Sequence, residues 1–283
     1  MAGGVAFISD IHGNAPALQA VLADIETAGC SQVFFLGDVI NGVDPHGCVQ
    51  MLHRWSAESG IALTCLKGNA ESYLTTLDRA SLPRQDEAWN REVMALVQWF
   101  EDHLTLEDLA WIETLPVTLL WQGNGHSACL VHDSPLDRLA VEHSADPQIR
   151  PEHREWFFHG NGIMPDLEGS ALDNLLAYMQ AENISSVFCG HTHQAFWQEF
   201  DGKLVCNVGS VGAPLDGDPR PAWVYLAEGS TEVSIRRVTY DLERQLAQID
   251  QAVDYPGFSS PLARERYKLW IKTGRHWKEH QGT

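Results

Sequence analysis

The sequence predicts an α/β fold in which two sheets pack face to face with helices outside each. Three observations carry this expectation. Short apolar runs alternate with helical periodicity up to Leu66. From Pro116 onward hairpin signals dominate. At 283 residues the chain is long enough to bury a sizeable core without disulfides or a structural metal.

Val5-Ala6-Phe7-Ile8 reads as a buried strand. Asn14-Ala15-Pro16 then offers a helix cap and a proline suited to a first turn. Leu18, Val21, Leu22 and Ile25 fall at i, i+3, i+4 and i+7, one apolar helix face, and Gly29 ends it. Val33–Leu36 is the next strand, Pro45–Ser59 the next helix, and a third strand ends at Leu66. This β-α-β-α-β order predicts a largely parallel first sheet. Residues 84–115 read as helical, rich in acids and tryptophans. Val117–Trp121 and Ser127–Val131 flank Gln-Gly-Asn-Gly-His, a hairpin signal. Residues 134–168 are irregular, with four prolines and a Gly160-Asn161-Gly162 turn, and read as a long functional loop or small cap. A helix over 170–182 leads into the strand Ser186–Cys189. Asp201-Gly202 joins Phe196–Phe200 to Lys203–Cys206 as a second hairpin. Strands at Ala222–Leu226 and Glu232–Val238 complete a mostly antiparallel second half, and the tail from Asp241 reads as two helices.

The net charge of −19 argues against nonspecific binding to nucleic acid or anionic lipid, which needs clustered Lys and Arg. A small phosphate substrate stays open, because a few metal charges outweigh a diffuse acidic surface locally. The six cysteines form no CxxC pair, and four of them lie in apolar runs, as packing residues would. No basic n-region opens the chain, and no apolar run approaches the ~20 residues of a membrane span. These features predict a cytoplasmic protein without a membrane partner.

The chemistry collects where strands end. Ile8 is followed by Ser9-Asp10-Ile11-His12-Gly13-Asn14, Leu36 by Gly37-Asp38, and Leu66 by Lys67-Gly68-Asn69. Val131 is followed by His132-Asp133, and Cys189 by Gly190-His191-Thr192-His193. Each ending alone is an ordinary turn, cap or polar pair. Five together, at the carboxyl ends of strands where α/β sheets bind ligands, point to a metal site.

The order Asp-x-His, Gly-Asp, Gly-Asn, His, Gly-His-x-His resembles the calcineurin-like metallophosphoesterases over roughly residues 4–227. Asn207-Val208-Gly209-Ser210-Val211-Gly212-Ala213-Pro214 is similar to an Asn-Pro-Gly-Ser-x-Gly element of their bacterial predicted-phosphodiesterase branch, with Val208 in place of the usual proline. The resemblance implies a four-layer α/β/β/α sandwich of two mixed sheets over 1–240, with a helical insert near 84–115, a cap near 134–168 and a helical extension over 241–283. It implies two divalent transition-metal ions, with Mn, Fe, Zn and Ni all compatible with an N/O ligand set. Asp10, His12 and His193 would bind the first, and Asn69, His132 and His191 the second. Asp38 would bridge them, and Asp38, Asn69 and His191 carry the catalytic expectation. The implied reaction is hydrolysis of a phosphodiester by a metal-bridging hydroxide. A phosphomonoesterase acting on a protein, nucleotide or small phosphate is the alternative, as is a non-catalytic scaffold like the retromer coat subunit of this fold.

Many members of that family carry histidine after the asparagine, where this chain has Ala70. Alanine cannot donate a proton, and general acid help is typically worth ~10²–10⁴-fold. Substrates with good leaving groups are expected to suffer least, and Ala70→His is expected to raise rates on poor ones. His159, His143 and His46 are candidate replacements. Asn14 and Arg138 are candidate phosphate contacts, although Asn14 also suits a helix cap and Arg138 a salt bridge. Asp133 could orient His132. Trp89, Trp99, Trp111 and Trp156 could line a base pocket or pack the core.

Overall fold

The computed structural model describes residues 3–76, 87–136, 163, 167–258 and 260–276. The elements run β1 (Gly4–Ile8), α1 (Ala15–Thr27), β2 (Cys30–Phe35), α2 (Pro45–Ser59), β3 (Ala62–Cys65), α3 (Asn69–Thr76), α4 (Glu87–His103) and α5 (Leu106–Thr114). They continue as β4 (Thr118–Gly123), β5 (His126–Val131), α6 (Gly169–Ala181), β6 (Ser186–Cys189), β7 (Phe196–Phe200) and β8 (Lys203–Asn207). β9 (Ala222–Leu226), β10 (Val233–Arg237), α7 (Leu242–Gln251), a 3-10 turn (Pro256–Phe258) and α8 (Pro261–Thr273) close the chain.

The helix boundaries follow from local chemistry. Asn14 caps α1 by accepting from the Ala17 N–H at 3.1 Å, and Pro16 sits in the first turn. Asp44 caps α2 in the same way ahead of Pro45, and Gly60 ends that helix in the left-handed region at φ 71°.

Two mixed five-stranded sheets result, in the orders β10-β9-β1-β2-β3 and β4-β5-β6-β8-β7. β1, β2 and β3 are parallel, as their helical crossovers require. The mostly antiparallel second half needs correction. β5, β6 and β8 run parallel, while β9 and β10 leave that half and pair antiparallel onto β1. Hairpin turns dictate the β4–β5, β7–β8 and β9–β10 pairings. The α6 crossover makes β5 and β6 parallel, and no turn signal names β1 as the other partner of β9.

Alternation along the strands sorts side chains into layers. Phe7 and Phe34 face the second sheet, where they meet Leu130, Phe188 and Cys206. Phe7 stacks on Phe188 with centroids 4.0 Å apart and on Phe34 at 5.5 Å. Ala6, Ile8, Val33 and Phe35 face the other way, into the layer of α1, α2, α4 and the C-terminal helices. Val131, Val187 and Val205 pack under Leu175 and Met179 of α6. The architecture is therefore the expected α/β/β/α sandwich. All six cysteines are buried and free, including Cys30 and Cys48 outside the four apolar runs. Among the described residues no helix is long and apolar enough to cross a membrane.

Removing the ring that joins the sheets tests this layering. Phe188→Ala is expected to lower unfolding free energy by about 3–5 kcal/mol in urea titration, as large-to-small core changes do.

Candidate metal centre

Because β1, β2 and β3 run parallel in one sheet and β5 and β6 in the other, five loops emerge at one end of the sandwich. The first two loops are zipped together. Asp10 N–H donates to Gly37 O at 2.9 Å, His12 N–H to Asp38 O at 3.0 Å, and Gly13 N–H to Val39 O at 3.0 Å. Among the described non-glycine residues eight have positive φ, and five are Asp10, His12, Asp38, His191 and His193. The other three are Asn124, Asn183 and Asp201, at turns. Left-handed backbone costs an L-residue on the order of 1–2 kcal/mol, so concentrating it here marks a geometry held by its surroundings.

The structure brings Asp10, His12, Asp38, Asn69, His132, His191 and His193 together. Asp10, His12 and His193 form one tight group of donor atoms, and Asp10, Asp38 and His132 another. His12 Nδ1 lies 3.0 Å from Asn41 O, and His193 Nδ1 lies 2.6 Å from Ala213 O. A carbonyl only accepts, so both Nδ1 atoms carry a proton, and in the neutral rings both Nε2 atoms present lone pairs. Those two Nε2 atoms face each other at 2.9 Å. His132 is fixed likewise, Nδ1 to Leu36 O at 3.0 Å, with Nε2 at 3.1 Å from Asn69 Oδ1. His191 Nδ1 is also 3.1 Å from that oxygen.

Asp10 completes the pattern. Its Oδ2 accepts from His191 N–H at 2.9 Å, while its buried Oδ1 has no hydrogen-bond partner. That oxygen lies 3.2 Å from His193 Nε2, 3.5 Å from His12 Nε2 and 3.9 Å from His132 Nε2. Asp38 Oδ1 accepts from Ala70 N–H at 2.9 Å, which leaves Oδ2 at 3.5 Å from His132 Nε2. Converging acceptors of this kind repel unless protons or cations lie between them. The donor set therefore fits divalent metal, with second-layer carbonyls orienting the imidazoles.

Protons can fill the same gaps, and the electrostatics place one on His132. Burial opposes charge on Asp10, but His193 and His132 outweigh it and hold the carboxyl well below the usual range. Asp38 is lowered too, against burial, chiefly by His132. His132 is raised to about 10 because Asp38 and Asp10 overcome its burial. His191 moves the other way, to about 4, through burial and then the charge of His132.

A sequence profile of the calcineurin-like phosphoesterase superfamily domain matches residues 4–230. The chain belongs to that superfamily. The superfamily is divalent-metal dependent, and the donor set here fits such an ion. An uncharacterised protein of Methanocaldococcus jannaschii is 26% identical over 261 residues, 87% of this chain and 91% of that protein. A hypothetical protein of Pyrococcus horikoshii OT3 shares the fold at a TM-score of 0.71 and 16% identity, covering 96% of this chain and 99% of that one. A metallophosphoesterase from Sphaerobacter thermophilus aligns at 0.62 and 22% identity, covering 97% and 100%.

Several residues of this superfamily member do work that sequence reading missed. Glu71, fully buried in α3, accepts from Asp38 N–H and Gly68 N–H on one oxygen and Val39 and Ile40 N–H on the other, at 2.8–3.2 Å. It ties the Asp38 loop to the Asn69 loop. A side chain on Gly68 would overlap Asp38 Oδ1, so only glycine lets the loops approach. Asn207 Nδ2 donates to Gly190 O at 2.7 Å and Thr192 Oγ1 at 2.9 Å, holding the double-histidine loop. Ser210 Oγ donates to Asp10 O at 2.8 Å. Val208, where the related element has proline, uses its N–H to reach Cys189 O at 2.8 Å, a bond proline cannot make.

Other expected residues are placed differently. Asn14 is fully buried, capping α1 and donating to Gly212 O at 2.9 Å, so its side chain is committed within the fold. His46 pairs with Asp108 at 2.7 Å. Trp99 packs in the core, and Trp111 lies against it. Asp133 is buried beside His132 and adds to its raised pKa. Arg138, His143, His159 and Trp156, with the side chain of Trp89, lie outside the described residues. Ala70 is 1% exposed and packs with the apolar core. An imidazole there must displace its neighbours, and overpacking costs typically about 1–3 kcal/mol. Ala70→His is therefore also expected to lose stability, read as a lower melting temperature.

Protons and metal should compete for these donors. At neutral pH His132 carries a proton that a bound cation must expel. Proton release on Mn²⁺ binding, measured by calorimetry in buffers of different ionisation enthalpy, is expected, and affinity should rise with pH toward about 10.

Proposed function

We propose that the chain is a dinuclear metal-dependent phosphoesterase that hydrolyses phosphodiesters. The observation that carries this reading is the buried cluster of acceptor atoms around Asp10 Oδ1, which converge with lone pairs facing one another. Asp10, His12 and His193 would hold one ion. Asn69, His132 and His191 would hold the second, with Asp38 between them and Asp10 within reach of both groups. When bound, two such cations supply Lewis-acid activation of water and neutralise phosphoryl charge.

The chain's own residues define the remaining tasks. Asp10 and Asp38 stay ionised, so they contribute two negative charges against four positive ones and leave a net attraction for an anionic ester. Ala70 N–H and Glu71 orient Asp38, and the Asn41, Ala213 and Leu36 carbonyls orient three imidazoles. His191 is half-buried, and its pKa of about 4 keeps it neutral and able to serve as a ligand. Hydrolysis forms one P–O bond from water and breaks the bond to the leaving alkoxide, whose proton comes from solvent. The Asn207–Pro214 element, similar to that of the predicted-phosphodiesterase branch, supports diester over monoester. Six free thiols support a cytoplasmic, reducing location.

Bis-p-nitrophenyl phosphate and p-nitrophenyl phosphate, each with Mn²⁺, test the reading beside His191→Ala. Metal-dependent diester turnover that falls by about 100-fold in the variant is expected. Faster monoester turnover would make the chain a phosphomonoesterase. Metal bound without turnover on either ester would favour the scaffold.

A further inference from the structure

The superfamily profile ends at residue 230, yet two contacts from beyond it reach the candidate metal centre. Asn41, whose backbone carbonyl fixes His12, also uses its side chain. Its Oδ1 accepts from the Tyr255 hydroxyl at 2.8 Å. Ala213, whose carbonyl fixes His193, is followed by Pro214, and Pro214 O accepts from Trp270 Nε1 at 2.8 Å. The Trp270 ring lies 5.8 Å from the His193 imidazole, centroid to centroid. Gly217 N–H donates to Gly274 O at 2.8 Å, so the end of α8 is tied to the same loop.

We propose that the C-terminal segment from Tyr255 to Trp270 is a positioning element of the metal centre, bracing the two backbone carbonyls that fix His12 and His193. The proposal rests on the metal reading above. The donors suit the task. Tyr255 is buried between Trp99 and Phe258, with centroids at 5.0 and 4.9 Å, so its hydroxyl is held in place. Burial pushes its phenol up, which keeps the hydroxyl protonated and donating. Trp270 stacks edge-on against Tyr267 at 5.6 Å, which orients the indole N–H. Asn41 and Pro214 sit on loops that follow strands of different sheets, yet both ties come from one short stretch of chain. That stretch therefore holds both loops whose carbonyls orient the two imidazoles. The brace is also one-sided. His132 is oriented by Leu36 O, and Asn69 by its place at the start of α3.

Tyr255→Phe and Trp270→Phe each remove a single donor while keeping a ring. In the full-length protein, Mn²⁺ titration by calorimetry is expected to show one ion weakened about 10–100-fold, as loss of outer ligand partners does. The second ion should keep its wild-type affinity, and the melting temperature should hold. Trp197→Phe, on the exposed face of β7, serves as the control and should bind as wild type does. Wild-type affinity for both ions in the double variant would overturn the brace. So would equal weakening of both ions together with a lowered melting temperature. A wild-type protein that binds no Mn²⁺ would overturn the metal reading itself and the brace with it.

Discussion

Mutual repulsion among acceptor atoms around Asp10 is the constraint that the rest of this structure serves. Two imidazole nitrogens face each other at 2.9 Å with their lone pairs inward, and a carboxylate oxygen without a partner stands beside them. Left to itself such a cluster would rotate apart or take up protons. It persists because each group is held from behind. Carbonyls take the Nδ1 protons, the His191 amide takes the other oxygen of Asp10, and left-handed backbone at five positions aims the side chains inward. A divalent ion relieves the repulsion, which is why a donor set of this kind reads as a metal centre even before any ion is considered.

The supports come from both sheets, so the two halves of the sandwich share the task. Glu71 gathers four amides from loops of the first sheet, and its carboxylate could not be replaced by anything lacking two acceptor oxygens. Asn207, at the end of β8, and Ser210, in the segment between β8 and β9, reach the loops that carry His191 and Asp10. That segment is the crossing between sheets. Its backbone also bonds Ser9 O and Asp10 O through Val211 and Gly212, which fixes how the sheets sit at their loop end.

Much of this was legible because strands announce where they stop. Apolar runs ended at Asp10, Asp38, Asn69, His132 and His191, and a strand's carboxyl end is where this class of fold places its chemistry. Caps and hairpins were legible for the same local reason. Partners of strands were not. Nothing in Ala222–Leu226 says that it pairs with β1 rather than with the hairpin before it, because period-two alternation fixes a face and not a neighbour. Glu71 was hidden too. An acid in the first turn of a helix ordinarily favours its own dipole in water, and only the folded loops show four amides pointing at it. The burial of Ala70 was equally hidden, since the sequence showed only that a proton donor is absent there, and the position packs with the core.

The connectivity of the centre bears on how the protein comes to exist. His12 and His193 are separated by 181 positions, and Ser210 clamps a carbonyl 200 positions earlier. No early piece of a growing chain contains both ends of either contact. Local elements such as α1 and α2 can form as they emerge, but long-range closure must await almost the whole polypeptide. Until then Asp10 and His12 are a loose pair of side chains with ordinary affinity for any passing ion. A metal site built from these residues would thus belong to the completed fold rather than to its assembly.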